Sequence, residues 1–357
     1  SYLILDEKVA VMDSVDARAA DEWLAKLAHE LDGRSPDYLV ISHMEPDHSG
    51  SILRLAERYP EMQLVGNAKT FAMLRHFFGA SAPANERLVE VGEGGTISLG
   101  THTLHFMLAP MVHWPEVMVA YEETEKLLFS ADAFGRFGAL SRTAAAPWAP
   151  QARRYYYNIV GKYGAQGQAL LKQASALEIE TICPLHGPVL TGGALAEALR
   201  LYDLWSRWQS EAPEEILLAH ASIHGNTARA AELFKQKLEA AGARVTLCDL
   251  TTTEVSYAVA NAFYCGKLVL ACSTYDGGLF PPMKEFLTHL QAKGFRDRNV
   301  GLMENGSWAP AAARLMRAKL EEMKDLRVCG TVVSLRSALS PASEAQMEAL
   351  TAELCAE

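Results

Sequence analysis

The stretch Ser42-His43-Met44-Glu45-Pro46-Asp47-His48-Ser49-Gly50 follows an apolar segment, Tyr38–Ile41, whose composition is typical of a buried strand. Within six residues it carries four potential metal ligands: His43, Glu45, Asp47 and His48. In an extended loop the first three of these side chains would project to one side, and Pro46 would stiffen the backbone. Ionisable groups packed so closely would repel one another or lose hydration unless a cation lay between them. The stretch therefore predicts a metal site, in preference to a polar turn that caps a helix.

Three further ligand candidates stand where predicted strands end. His113 follows the apolar run of residues 103–112, Asp132 follows residues 126–131, and His186 lies in the segment Cys183-Pro184-Leu185-His186-Gly187-Pro188. Taken singly each signal is weak, because a histidine at a strand end is more often packed in a core than bound to a metal. Together with the first stretch they form the pattern HxExDH–H–D–H, which predicts a metal cleft shared by separate strand ends.

The ligand pattern resembles that of the metallo-β-lactamase superfamily, whose hydrolases carry HxHxDH and bind zinc. In this chain Glu45 stands where those hydrolases have the second histidine, and this replacement is the mark of the flavodiiron proteins. Glutamate adds negative charge and a hard oxygen donor, which favour iron over zinc. The 18 residues between His113 and Asp132 match the flavodiiron proteins as well.

The resemblance implies a diiron centre built from seven side chains. Trp114 and Phe134, which adjoin two of the ligand candidates, are expected either to pack over this centre or to belong to the core. By resemblance His43, Glu45 and His113 would hold one iron, Asp47, His48 and His186 would hold the other, and Asp132 would bridge the two.

The chain has 357 residues, which suggests two domains. Residues 1–195 alternate short strands with helices and predict an α/β sandwich, and the resemblance implies the metallo-β-lactamase-like αββα form. Residues 137–150 predict a loop, and residues 196–213 predict an amphipathic linker helix that ends in a Pro-containing segment. In residues 214–357, five strands with intervening helices predict a doubly wound parallel sheet, and the resemblance implies its flavodoxin-like form.

The first strand of this second region is followed by a short polar loop that leads into a helix. Hydroxyl groups, a glycine and the start of the helix together form an anion cradle, and the loop resembles the phosphate-binding loop of flavodoxins. It carries neither the GKS or GKT of a Walker loop nor GxGxxG, which disfavours a dinucleotide site. The loop consists of Ser222, Ile223, His224, Gly225, Asn226 and Thr227.

Two further polar loops follow the third and fourth predicted strands of this region, at the carboxyl ends where doubly wound sheets bind ligands. The resemblance implies that they hold FMN, with backbone groups of the first loop along the isoalloxazine edge and Trp308 stacked on the ring. A monophosphate loop without an adenine-binding unit favours FMN over FAD. The first loop contains Ser273, Thr274, Tyr275, Asp276 and Gly277, and the second contains Asn305, Gly306, Ser307 and Trp308.

The two sites together imply a flavodiiron oxidoreductase that reduces O2 to water, NO to N2O, or both, at two iron ions with electrons relayed by FMN. The resemblance further implies a head-to-tail homodimer, or a dimer of such dimers, and a rubredoxin-like electron donor, because the chain has no CxxC pairs of its own. Two alternatives stay open at this point: a zinc hydrolase fused to a flavodoxin domain, and a flavin electron carrier without catalysis.

Composition limits the other classes of function. The formal net charge of -10 disfavours a nucleic-acid binder, since such proteins are usually basic. No run of 18 apolar residues is present, so no membrane span is predicted. Most of the six cysteines lie in apolar strand-like runs, as expected of free thiols in a reducing compartment, and we therefore expect a cytoplasmic protein.

Overall fold

A computed structural model describes residues 1–143 and 146–355 of the chain. Packing divides the chain into two compact units. The first unit comprises Ser1–Tyr155 and Ala165–Asp203, and the second comprises Tyr156–Gly164 and Leu204–Glu357. The domain bounds at residues 195 and 214 stay a prediction, because a compact unit need not coincide with a domain.

The first unit begins with a five-stranded sheet. Its strands are β1 (Tyr2–Leu5), β2 (Val9–Met12), β3 (Tyr38–Val40), β4 (Gln63–Gly66) and β5 (Leu88–Glu90). They lie side by side in chain order, with β1 antiparallel to β2 and all other neighbours parallel. The helices between them are α1 (Ala20–Leu31), α2 (Pro46–Ser49), α3 (Ile52–Arg58) and α4 (Ala68–Phe78).

A second sheet of six strands follows. Its strands are β6 (Thr96–Ser98), β7 (Thr103–Leu108), β8 (Met118–Glu122), β9 (Leu127–Phe129), β10 (Thr181–Cys183) and β11 (Leu190–Thr191). They lie in the order β11-β10-β9-β8-β7-β6, and β9 and β10 are the parallel pair. The helices in this part of the chain are α5 (Leu140–Thr143), α6 (Trp148–Ile159), α7 (Gly164–Ala174) and α8 (Gly192–Ser206).

Strand β2 explains how helices and sheets come together in the first unit. All four of its residues are buried. Because successive side chains of a strand point to opposite faces, Val9 and Val11 pack with residues of α1, α3 and α4. Ala10 and Met12 pack on the other face with residues of the second sheet, such as Phe106. The first unit is therefore a sandwich of two sheets with helices over the outer face of the first sheet.

The second unit is built on a parallel sheet. Its strands are β12 (Ala212–Ala221), β13 (Val245–Asp249), β14 (Cys265–Tyr275), β15 (Gly278–Leu279), β16 (Arg298–Asn305) and β17 (Leu326–Leu335), and its later helices are α9 (Asn226–Ala240), α10 (Val255–Tyr264), α11 (Pro281–Ala292), α12 (Ala312–Leu320) and α13 (Pro341–Cys355). The parallel strands lie in the order β13-β12-β14-β16-β17, and the short β15 pairs antiparallel with β14. This order is the flavodoxin-like one, so the predicted doubly wound sheet is confirmed.

Two segments differ from their predictions. The predicted helix at 196–213 is wrong in its bounds, because α8 starts four residues earlier and ends at Ser206, whereas β12 already begins at Ala212. The backbone turns in between, where Trp208 has a φ of 56°. Residues 137–150 are not a continuous loop, since they contain the short helix α5 and the start of α6. Residues 144 and 145 of that segment lie outside the described residues.

Helix α10 lies between β13 and β14. Five of its ten residues are buried, and it is apolar at almost every position, so its sequence lacks the polar face that marks an amphipathic helix. Glu254 caps its first turn by accepting a hydrogen bond from the Ser256 amide. Within the described ranges no helix, α10 included, combines the length and the hydropathy that a membrane span requires.

Candidate metal centre and flavin site

The backbone of residues 43–48 changes direction at Glu45. Glu45 is extended, with φ of -60° and ψ of 140°, and the helical turn α2 begins at the next residue. The prediction of a wholly extended loop is therefore wrong from Pro46 onward. The physical reason is that proline fits the first position of a helix, where no amide hydrogen is needed. The change of direction sends the first two candidate ligands and the last two into different groups.

The first group of ligand atoms comes from loops of both sheets. Nε2 of His113 lies 3.1 Å from Glu45 Oε2 and 3.1 Å from Asp132 Oδ2. Nε2 of His43 lies 3.3 Å from Glu45 Oε2 and 3.7 Å from Asp132 Oδ2. These four side chains thus point one nitrogen or oxygen atom each toward a common centre.

The second group shares Asp132 with the first. Nε2 of His48 lies 3.1 Å from Asp132 Oδ1, and Nε2 of His186 lies 3.5 Å from the same oxygen. Asp47 Oδ2 lies 3.3 Å from His48 Nε2 and 3.2 Å from His186 Nε2. The two oxygens of Asp132 therefore face different groups, and the structure brings all seven predicted ligand side chains together.

Most of these distances fit a pair of metal ions. Ligands about 2.1 Å from an ion, at tetrahedral or octahedral angles, stand roughly 3.0 to 3.4 Å from one another. Asp132 Oδ1 is fully buried yet makes no hydrogen bond within the described residues, although a buried carboxylate oxygen normally has a partner. Imidazole nitrogen and carboxylate oxygen are both donors that iron accepts. The residues present thus fit two bridged cations.

The electrostatics of the site also favour bound cations. Hydrogen bonds from His113 and His43 lower the pKa of the Glu45 carboxyl to about 2. Burial alone would lower the pKa of His43, but Glu116, Glu45 and Asp132 raise it to about 10. Burial opposes ionisation of Asp132 as well, yet the neighbouring histidines hold its pKa well below the usual range. The carboxylates thus stay negative and draw positive charge, which metal ions would supply in place of protons.

Two carboxylates next to the centre were not predicted from the sequence. Glu116, which is fully buried, lies with Oε1 2.8 Å from His43 Nδ1. Asp13 is 2% exposed at the end of β2, and its Oδ1 accepts hydrogen bonds from the backbone amides of Ser42 and His43. The signal for both was weak, because a single acid after a strand or a proline has no characteristic spacing.

Aromatic residues border the centre. The ring of Trp114 meets the ring of His43 edge to face, with centroids 5.1 Å apart, so of the two expected positions it takes the one beside the centre. Phe134 instead packs against Tyr202 in the interior, with centroids 4.3 Å apart. Beside His186 lies a cavity of about 420 Å³, whose lining includes Tyr155 and Phe137. Burial and the charge of Asp132 raise the pKa of Tyr155 well above its ordinary value, so its hydroxyl stays protonated.

The predicted flavin residues surround a cavity of about 560 Å³ in the second unit. It lies at the carboxyl ends of β12, β14 and β16, and thirteen of the fifteen predicted residues line it. Gly225 and Tyr275 do not belong to its lining, whereas Ala309 and Ser337 line it without having been predicted. Ser337 takes part because its amide donates to Asn305 Oδ1 and its carbonyl accepts from Asn305 Nδ2.

One side of this cavity has the features of a phosphate site. Gly225 has a φ of 88°, and α9 starts at the next residue with no acidic side chain in its first turn. The Gly225 amide donates to Ser222 Oγ at 3.1 Å, and the hydroxyls of Thr227 and Ser273 lie 2.8 Å apart. Free amide hydrogens at a helix start, together with hydroxyl groups, suit a phosphate monoester. The cavity thus fits the phosphate of FMN.

The opposite side is formed by a tight hairpin and an exposed aromatic residue. Asp276 and Gly277 turn the chain between β14 and β15 with φ of 49° and 69°, which is the type I′ turn that Asp-Gly favours. Trp308 is 87% exposed although it lines the cavity. A tryptophan so open to solvent is free to cover a flat ring.

Residues 1–187, more than half of the chain, match a family model described as ODP family beta lactamase. The chain belongs to this family. A nitric oxide reductase from Moorella thermoacetica is 27% identical over 91% of this chain and 82% of its own length. The solved structure of rubredoxin oxygen:oxidoreductase from Desulfovibrio gigas aligns with a TM-score of 0.90 and 24% identity, over 99% of this chain and 91% of its own. A flavodiiron protein from Giardia intestinalis aligns with a TM-score of 0.88 and 23% identity, over 99% and 87%.

The comparisons bear on two expectations for this ODP family member. The structural matches extend over both units of the chain, and at these identities they show the fold. The predicted fold class, a metallo-β-lactamase-like sandwich followed by a flavodoxin-like sheet, is confirmed. The resemblance to flavodiiron proteins that was drawn from Glu45 and the strand-end ligands is confirmed as well.

Proposed function

We propose that the chain is a flavodiiron oxidoreductase, which reduces O2 to water, NO to N2O, or both, with electrons relayed by FMN. The observation that carries the proposal is the position of Asp132, whose two oxygens lie 3.1 Å from His113 and 3.1 Å from His48. A carboxylate placed between two groups of histidines suits a bridged pair of ions. The names of the relatives support the reaction, since they include a nitric oxide reductase and a rubredoxin oxygen:oxidoreductase.

The seven side chains would divide between the two ions. A reduced iron pair supplies two electrons and open coordination positions for a diatomic gas. Glu45 gives the first group a carboxylate where zinc hydrolases have an imidazole, which is why we favour iron. In the proposal His43, Glu45 and His113 hold the first ion, Asp47, His48 and His186 hold the second, and Asp132 bridges them.

The residues around the cavity beside His186 determine which molecules can approach the second group of ligands. The cavity beside His186 is lined by the apolar side chains of Phe137, Leu140 and Leu185, by Arg136, and by the protonated hydroxyl of Tyr155. Its volume of about 420 Å³ leaves room for a diatomic gas. The Tyr155 hydroxyl keeps a proton close to Asp132, on the side of the cavity from which a gas molecule would approach the second group.

The second unit would hold FMN in its cavity. The loop from Ser222 to Thr227 would bind the phosphate, and the loops from Ser273 to Gly277 and from Asn305 to Trp308 would enclose the ring system. We also propose a head-to-tail homodimer, or a dimer of such dimers, and a rubredoxin-like electron donor. A relative named for rubredoxin supports the donor, and six free cysteines support a reducing, cytoplasmic location.

The test begins with metal and flavin analysis of protein purified after growth with both iron and zinc. The proposal expects two irons and one FMN per chain. The protein is then reduced with excess reduced rubredoxin, and consumption of O2 and of NO is followed separately with gas electrodes. Turnover of at least one gas supports the proposal. Zinc in place of iron would favour the hydrolase, and intact FMN with no turnover of either gas would favour a simple electron carrier.

A further inference from the structure

Glu116 is a buried acid that belongs to neither ligand group. It follows His113 by three residues, in the loop between β7 and β8, and its side chain is fully buried. Its Oε1 accepts a hydrogen bond from the backbone amide of Met44 at 2.9 Å and lies 2.8 Å from Nδ1 of His43. The loop that carries His113 thus contacts His43, which follows β3 in the other sheet.

The contact determines which nitrogen of His43 faces the ligand group. A carboxylate can only accept hydrogen bonds, so Nδ1 of His43 carries the proton that it shares with Glu116. Nε2 is therefore the nitrogen at which a cation can take the place of a proton, and it points toward Glu45 and Asp132, at 3.3 Å and 3.7 Å. An imidazole held in this way presents Nε2 as a metal ligand of increased basicity.

The structure keeps Glu116 in place from its other side. Asn67 Nδ2 donates a hydrogen bond to the Glu116 carbonyl at 2.6 Å, and Asn67 Oδ1 caps the start of α4 by accepting from the amides of Lys69 and Thr70. The backbone at Glu116 is therefore tied to the residue that caps α4, which limits how far this part of the loop can move away from His43. Fixed partners of this kind orient a ligand before the metal arrives.

The negative charge of Glu116 also affects the charge balance of the metal site. The ligand groups contain three carboxylates, those of Glu45, Asp47 and Asp132. Two divalent cations carry four positive charges, so three ligand carboxylates leave one charge without a counterpart. Glu116 adds a negative charge at a fully buried position beside His43, whereas burial raises the pKa of the other nearby acid, Asp13.

We propose that Glu116 is a positioning residue of the metal pair, which holds His43 in its ligating orientation and lowers the reduction potential of the irons by adding negative charge through the imidazole. The second part of this proposal rests on the proposed diiron function. The first part applies to any divalent cation bound by His43, and it can therefore be tested without iron or turnover.

Two substitutions separate the charge of Glu116 from its shape. Glu116→Gln keeps the length of the side chain and removes the charge, whereas Glu116→Asp keeps the charge and withdraws it from His43. The matched control is Glu122→Gln. Glu122 is equally buried, but it lies at the far end of β8, and its oxygens accept hydrogen bonds from the amides of Thr124 and Glu125.

The first measurement is a titration of each metal-free protein with Co²⁺, followed by the visible absorption of the bound ion. We expect Glu116→Gln and Glu116→Asp to bind Co²⁺ about 10- to 100-fold more weakly, as is typical when the partner of a ligating histidine is removed. Glu122→Gln should bind like the wild type. Equal loss of affinity in Glu122→Gln and Glu116→Gln would assign both residues a merely structural role and overturn the inference.

The second measurement is a redox titration of the iron-loaded proteins, followed by electron paramagnetic resonance of the mixed-valence pair. Glu116→Gln is expected to raise the potential of the irons, because the lost negative charge no longer favours the oxidised state, and Glu116→Asp to stay nearer to the wild type. The potential of FMN should stay constant. An unchanged iron potential in Glu116→Gln would contradict the charge effect. If the wild type binds Co²⁺ but no iron pair, the proposed function fails while the orienting role is still decided by the first measurement.

Discussion

Nε2 of His48 and Nε2 of His186 lie 3.0 Å apart, although His48 follows β3 of the first sheet and His186 follows β10 of the second. Two imidazole nitrogens at this distance share a proton or a cation, because two facing lone pairs repel each other. Both nitrogens also approach the same oxygen of Asp47, at 3.3 Å and 3.2 Å. This pair of histidines is therefore where the second ion of the proposed centre is required most clearly.

Loss of His186 should remove that ion selectively. In His186→Asn the shorter amide cannot reach the position of the imidazole nitrogen, so we expect the iron content to fall from about two ions per chain to about one. His29→Asn, at an exposed position of α1, is the control and should keep the wild-type content. The measurement is elemental analysis of purified protein. Unchanged iron in His186→Asn would remove this residue from the ligand set.

Substitution of Asp132 should affect both ions. The amide of Asp132→Asn offers one oxygen and no charge, so we expect both irons to be lost or disordered and gas reduction to fall by more than about 100-fold, since weaker partners of metal ligands already cost 10- to 100-fold. Asp21→Asn, which is exposed in α1, should have no such effect. Turnover and iron content are measured on the same samples. Full activity of Asp132→Asn would refute the bridging role.

The phosphate site can be tested through backbone strain. An alanine at Gly225 would meet no atom within 4 Å, but it would have to adopt a φ of +88°, which costs roughly 1 to 2 kcal/mol. Gly33 has a similar φ of +85° and equally open space, but it lies in the first unit. We expect Gly225→Ala and Gly33→Ala to lose similar stability in denaturant unfolding, and Gly225→Ala alone to bind FMN more weakly. Equal FMN affinity in both variants would exclude the loop as the phosphate site.

Trp308 should contribute stacking to flavin binding. Trp308→Ala removes an exposed ring that lines the cavity, and a lost aromatic contact of about 0.5 to 1.5 kcal/mol corresponds to an FMN dissociation constant about 2- to 12-fold higher. Phe77→Ala, at an exposed position of α4, is the control. Fluorescence titration of the flavin-free proteins with FMN measures the constant. A value equal to the wild type would place Trp308 outside the ring contact.

A surface ion pair should make stability depend on pH. Asp6 Oδ2 accepts hydrogen bonds from the backbone amide and the ring Nδ1 of His102, which lower the pKa of Asp6 to about 2 and raise the pKa of His102. The contribution of Asp6 to the free energy of unfolding is present above about pH 4 and is lost as the pH falls toward 2. The His102 contribution is complete below about pH 6.5 and is lost as the pH rises through the raised pKa.

The expected result is therefore a window of pH in which the pair stabilises the fold. His102→Gln should be less stable than the wild type between about pH 4 and pH 6.5, and the difference should shrink on either side of this range. Denaturant unfolding across this range gives the difference. His76→Gln, an exposed position on α4, should show no such profile. A difference that is constant with pH would show that the contact acts without charge.

The dense part of the metal site could be predicted because its chemistry is unusual. Four ionisable residues within the six positions from His43 to His48 have few structural explanations, and Glu45 distinguishes the pattern from that of zinc hydrolases. The division into two groups was expected from the family resemblance alone, because in the structure it depends on the helical turn that begins at Pro46. A four-residue helix has too short a sequence for its periodicity to be recognised.

Other parts were missed for related reasons. Glu116 contacts His43 and the amide of Met44 from a different loop, and it follows Met44 by 72 residues along the chain. No local sequence pattern encodes such a contact. Ser337 joins the flavin cavity through its hydrogen bonds with Asn305, which follow from the pairing of β16 with β17. The parallel sheet itself was predictable, because strands and helices alternate regularly and buried strands are uniformly apolar.

The ligand groups draw on both sheets of the sandwich, and this has a consequence for how the first unit responds to metal loading. His43 and His48 follow β3 in one sheet, whereas Asp132 and His186 follow β9 and β10 in the other. Ions that bind the folded arrangement and not the unfolded chain stabilise it by mass action. The metal pair would thus act as a cross-link between the two sheets. A chelator should therefore speed amide hydrogen exchange in β3, β9 and β10 together.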